Sequence, residues 1–91
     1  MSNVETRDPL LTQRGKTHGS FETNSQVSQH IKSIMYANGY RTLKPQHTEA
    51  LDMIVHKIAR ILAGNANFKD HWDDIAGYAK LASEACQDEG R

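Results

Sequence analysis

Four carboxylates stand in two closely spaced pairs. Glu49 and Asp52 are three positions apart, and Asp70 and Asp74 are four apart. On a helix either spacing puts both side chains on one face, so each pair can converge on a single point. Two antiparallel helices that each offer such a pair would present the oxygen ligands of a hard divalent cation. Mg²⁺ is the implied ion, because it keeps several waters and binds together with substrate phosphates. Lys57 and Arg60 lie between the pairs, and a guanidinium suits phosphate through its parallel N–H donors. The competing reading is a set of Asp–Arg and Glu–Lys surface pairs, each worth little.

The stretch DHWDDIAGYAKL, residues 70–81, sharpens the question. At about 100° per residue, Asp70, Asp73 and Asp74 fall opposite the apolar stripe, and Gly77 and Leu81 fall with them. A mid-helix glycine costs roughly 1 kcal/mol relative to alanine, which close approach of a ligand or another backbone would offset. That face is therefore expected to be contacted. An acidic first turn that serves the helix dipole is the alternative.

Other reactive side chains form weaker patterns. The five histidines, His18, His30, His47, His56 and His71, have no compact zinc spacing. Cys86 is alone, so no disulfide forms within one chain; near a helix end it reads as a small core residue. The segment QRGKTHG, residues 13–19, carries two glycines and basic side chains but is not a phosphate loop of the G-x-x-x-x-G-K-[ST] type. It reads as a flexible arm, with a phosphate-contacting arm as the other reading.

These residues need helices to position them. Val27, Ile31, Ile34 and Met35 make an amphipathic stripe that predicts a helix over about 23–38, stopped by Gly39. Pro45 suits a first helical turn, and Leu51, Ile54, Val55, Ile58, Ile61 and Leu62 predict a second helix over 45–63, ended by Gly64. After the GNANF turn, Trp72, Ile75, Ala76, Ala79, Ala82 and Cys86 predict a third over 69–86. Strand-like alternation, internal repeats and low-complexity tracts are absent. The expected fold is all-α: a small antiparallel three-helix bundle, residues 21–88, preceded by an arm over 1–20 with Leu10 and Leu11 docked on the body.

The chain has 91 residues, enough for one domain with a modest core. Self-association is an inexpensive remedy at this size, so a homo-oligomer is expected. Eleven basic residues balance eleven acidic ones, which leaves no footprint for general nucleic-acid binding. No apolar run approaches a membrane span, and no signal-peptide core is present; a cytoplasmic location is expected.

Several of these motifs carry a resemblance. LLTQRGKTHGSFETNSQVSQHI and ALDMIVHKIARILAGNANFKDHWDDIAGYAKL are similar to a family of small phage and prophage proteins of unknown function. That family has an arm of the type E-R-x-x-x-[YH]-G-[DS], then L-D-x-x-x-x-K-x-A-R-I-x-x-G, then D-x-W-x-D-I-A-G-Y-A. The match covers about residues 10–82, at Arg14, His18, Gly19, Asp52, Lys57, Arg60, Gly64, Asp70, Trp72, Asp74, Gly77 and Tyr78. Gln13 and Ser20 depart from acids of the pattern. More distantly, EALD (49–52) followed by DHWD (70–73) resembles the E-x-x-E and E-x-x-D motifs of MazG-like all-α nucleoside triphosphate pyrophosphohydrolases, with shorter acids. The resemblance implies a Mg²⁺-dependent nucleotide site in an oligomeric helical bundle.

The expectation that results is a phage accessory protein that binds a nucleotide or small phosphorylated ligand. Arg14, His18, Lys57, Arg60 and Tyr78 would contact the ligand, and Glu49, Asp52, Asp70 and Asp74 the metal. Whether it hydrolyses that ligand stays open, since no general base stands out beyond the acids. The alternatives are a non-catalytic sponge for a nucleotide signal and a protein-interaction module that inhibits a host or defence protein through the Gly77 and Leu81 face.

Overall fold

The computed structural model describes residues 15–86. A helical stretch over 15–18 leads into three helices: α1 (Phe21–Ala37), α2 (Pro45–Ala63) and α3 (Lys69–Glu84), with a 3-10 turn at Tyr40–Thr42. No strand occurs among the described residues, and the fold is a small all-α bundle. The first helix begins two residues earlier than its stripe predicts. Ser20 is extended and its Oγ accepts the Thr23 N–H at 3.1 Å, which satisfies an orphan donor of the first turn. Pro45 opens α2 where a missing N–H costs nothing. At its other end α3 closes two residues short of Cys86, where the Ala85 N–H folds back on the Leu81 and Ala82 carbonyls.

The central helix is α2. Along one side, Tyr40 reaches Asp52, Lys32 reaches His56, and Gly19 abuts Ala63, so α1 runs antiparallel to it. Along the other, Lys57 meets Asp74 and His47 meets Cys86, so α3 is antiparallel as well. Asp52 and His56 lie on one side of the α2 barrel, and Lys57 lies a further 100° or so round from His56. The two flanking helices are therefore received on different sides of α2, and the three helices lie as a layer.

The core of this layer is thin and made of small side chains. Among the described residues, the buried apolar ones are Ala50, Val55 and Ala59, joined by Ser28 and His71. Small residues at helix contacts let the axes approach closely. The sequence stripes overstate the core: Leu51 and Leu62 of α2 and Ile34 of α1 are exposed, as are Trp72, Ala76 and Ala79 of α3 and Cys86 beyond its end. On α3 the inward positions are His71, Asp74, Ile75, Tyr78 and Ala82, a stripe at i, i+3, i+4, i+7 and i+11. The helix is turned by roughly 80° from the orientation that would centre its apolar stripe on α2. One consequence is that Asp74 is not opposite the core, whereas Asp70, Asp73, Gly77 and Leu81 are exposed.

Candidate functional site

Packing one flank of each helix against its neighbour leaves the layer with two faces of opposite character. Lys32 on α1, His56 and Arg60 on α2, and Asp74 on α3 mark the polar face, because the contacts Lys32–His56 and Lys57–Asp74 fix which flank of each helix looks that way. Of the residues proposed for chemistry, Arg60 and Asp74 lie on this face and His18 lies at the end of the layer where residues 15–19 dock.

The Lys57 ammonium meets the Asp74 Oδ2 at 2.8 Å; the lysine side chain is only 12% exposed and the aspartate 46%. The hydrogen bond from Lys57 and its charge hold the Asp74 carboxyl below the usual carboxylate value, with His71 and Arg60 adding to the effect. Asp74 thus has a fixed cationic partner, and mutual repulsion with Asp70 does not describe its surroundings. Across the GNANF turn, one α2 cation, Lys57, pairs with one α3 acid, Asp74.

Asp52 is engaged elsewhere. The Tyr40 hydroxyl donates to both of its oxygens, at 2.9 and 2.8 Å. That hydrogen bond to an anion raises the Tyr40 pKa above its ordinary value. Tyr40 is itself braced edge-on by Tyr36 at 4.8 Å. Glu49 and Asp70 are exposed. The four acids expected to bind Mg²⁺ therefore do not converge, and no group of three or more His, Cys, Asp or Glu gathers for a cation among the described residues. Mg²⁺ held by Glu49, Asp52, Asp70 and Asp74 together does not fit this arrangement.

The cations are arranged more suggestively. Lys32 Nζ donates to His56 Nε2 at 3.0 Å, because an ammonium has no acceptor, which leaves the imidazole proton on Nδ1. Burial depresses the His56 pKa first, and Lys32, Arg60 and Lys57 depress it further against a smaller opposing effect of Asp52. His56 is a neutral ring in a locally positive field. Arg60 is half-buried and makes no hydrogen bond or ion pair among the described residues.

At the end of the layer the arm is seated by backbone contact. A Cβ on Gly64 would lie 2.5 Å from the Thr17 carbonyl oxygen, and one on Gly19 2.5 Å from that of Ala63. Gly19 also sits at φ 79°, in the left-handed region. The Thr17 carbonyl accepts from Asn65 N–H at 3.1 Å and from His71 Nε2 at 2.8 Å. His18 packs against His71 and Phe68, with ring centroids 4.8 and 5.9 Å away. His18 thus joins the arm's anchorage, and Tyr78 is half-buried on the inward side of α3. Arg14, Leu10 and Leu11 lie outside the described residues.

His71, Tyr40 and Lys32 were not marked by the sequence patterns. His71 could have been found by admitting His and Tyr to the helical stripe 71, 75, 78, 82. The Tyr40–Asp52 and Lys32–His56 contacts leave no short-range trace. Among the described residues nothing approaches within 4 Å of the Cβ position of Gly77, so that glycine does not mark a close contact among them.

No helix among the described residues is long and apolar enough to cross a membrane. No curated protein and no solved structure matches the chain. A family defined by its sequence pattern does match, over residues 4–86, from within the arm to the last described residue. The match takes in all the described residues, and the chain belongs to the family of domains of unknown function DUF6378.

Proposed function

We propose that the domain binds the phosphate groups of a nucleotide or similar phosphorylated ligand on its polar face, in the setting of a phage accessory protein. The observation that carries this reading is the half-buried Arg60, a guanidinium without an ion pair among the described residues, beside a His56 whose pKa burial and then neighbouring cations lower. A planar fork of donors with no partner is suited to a phosphate oxygen pair. Lys32 and Lys57 supply further positive field, the latter already neutralised in part by Asp74. The resemblance to phage and prophage proteins supports the setting.

Binding without hydrolysis is the reading favoured by the carboxylates. A MazG-like hydrolase needs several of them free around a metal, whereas Asp52 is spent on Tyr40 and Asp74 on Lys57. Mg²⁺ enters this proposal only as a companion of the ligand's own phosphates.

The test is a thermal-shift comparison of a nucleoside with its mono- and triphosphate, each with and without Mg²⁺. A ligand selective for the folded state raises the midpoint; at about a hundredfold excess over Kd the gain is about 2.7 kcal/mol. The triphosphate should stabilise the protein and the nucleoside should not. Arg60→Gln should keep the ligand-free midpoint and lose the gain. Equal shifts in wild type and Arg60→Gln, or no shift with any phosphorylated ligand, would dispose of the proposal.

A further inference from the structure

The face of the layer opposite Arg60 is apolar. On α1, the flank away from Lys32 carries Val27, Ile31 and Ile34; on α3, the flank away from Asp74 carries Trp72, Ala76 and Ala79. Between them α2 contributes Leu51, Ile58 and Leu62. Ile34 is 64% exposed, Leu62 68% and Trp72 53%. The antiparallel register brings these together in rungs: Val27, Leu62 and Trp72 near the arm end, Ile31, Ile58 and Ala76 at the middle.

We infer that this face is covered by a second copy of the chain, packed back to back about a twofold axis. Three observations select that occupant. First, the middle of this face carries no Asp, Glu, Lys or Arg, the lysines Lys69 and Lys80 standing at its outer α3 edge. A surface without charge asks for no complementary charge, and it can meet its own image in an isologous contact. Second, the area suffices. Three helices with a rise of about 1.5 Å per residue, set roughly 9 Å apart, present a face of about 25 by 25 Å, on the order of 600 Å² in projection. A stable dimer needs about 800 Å² of accessible surface from each partner, which side-chain relief on that footprint provides. Third, the core of one chain is Ala50, Val55 and Ala59. A domain of this size with so few buried apolar side chains gains its missing core by association. Ala76 and Ala79 beside Trp72 leave room for the indole of a facing copy.

This contact differs from one through Gly77 and Leu81, which lie on the outer and polar flanks of α3. The inference does not depend on the ligand proposal, and its test uses no ligand. The full chain should sediment as two copies. Trp72 is the only tryptophan, so its emission reports this face directly and should shift to the red on dilution. Leu62→Arg should yield a single-chain mass, while Leu81→Arg, exposed to a similar degree, should leave the dimer intact. Loss of helix by circular dichroism in Leu62→Arg alone also counts for the contact, since a side chain exposed in the single chain can unfold it only by displacing a copy packed above it. A single-chain mass for the wild type at all concentrations overturns the inference. So does a dimer that Leu81→Arg dissociates and Leu62→Arg does not, or one whose Trp72 emission is unchanged by dilution.

Discussion

Two side chains whose pKa values are both lower in the folded state set how this protein responds to acid. His56 has its pKa lowered from 6.5 in the folded state, by burial first and then by Lys32 and Arg60. Below about 6.5 the unfolded chain therefore takes up a proton that the folded chain refuses. Stability is unaffected by this group above that value and falls as pH drops from it towards the folded pKa. Asp74 has its pKa lowered from 3.8 by Lys57. Its contribution is present in full above the unfolded value and is lost only as pH falls through the depressed folded value. Urea unfolding as a function of pH should thus show two separate declines. His56→Gln should abolish the upper one, which begins below about pH 6.5, and keep the lower. Asp74→Asn should be less stable than wild type at neutral pH, because it strands a largely buried Lys57, and the difference should vanish in strong acid. A neutral or stabilising Asp74→Asn at pH 7 would show that repulsion from Asp70, and not the Lys57 contact, governs this carboxylate.

At the scale of elements, the glycines of α2 and α3 make contrasting predictions. Gly77 lies mid-helix with open space around it. Gly77→Ala should stabilise the domain by roughly 0.5–1 kcal/mol through helix propensity. Gly64→Ala drives a methyl group into the Thr17 carbonyl and the Gly19 nitrogen. Both obstacles are backbone and cannot rotate away, so the arm must lift or the protein lose about 1–3 kcal/mol. Chemical denaturation of the two variants should move the midpoint in opposite directions. These elements also show what was legible in the sequence. Pro45, Ala63 and Gly64 bounded α2 correctly, because proline and glycine act on the local backbone and need no tertiary context. The antiparallel run of α2 and α3 was legible too, since a short turn forces it. The rotation of α3 was not. Its apolar stripe is read on the assumption that apolar residues face the neighbouring helix, whereas Trp72, Ala76 and Ala79 turn to the apolar face and His71 and Tyr78 turn inward. The burial of Ser28, Ala50 and Ala59 escaped for a related reason: close axial approach selects small side chains, which hydropathy undervalues. Four acids at helical spacing could suggest a metal, but the sequence does not say that a tyrosine twelve positions upstream claims Asp52.

For the molecule as a whole, the layer has an internal order that its middle helix dictates. Both outer helices lean on α2, and α2 is held from both sides. A fluctuation that releases α1 breaks the Tyr40–Asp52 and Lys32–His56 contacts, the Gly19 seat and the packing around Ser28; it leaves the α2–α3 hairpin paired through Lys57 and Asp74. A fluctuation that releases α3 leaves the α1–α2 pair. No partial opening frees α2 and keeps either neighbour in place. Amide hydrogen exchange should therefore follow a hierarchy, with the amides around Val55 and Ala59 exchanging only through global unfolding and those of α1 and α3 through smaller openings. Equal protection across all three helices would contradict that ladder. The middle strut of a three-plank raft is its slowest clock: the time a chain spends with α2 unprotected measures the lifetime of the whole fold, while its outer helices come and go on shorter schedules.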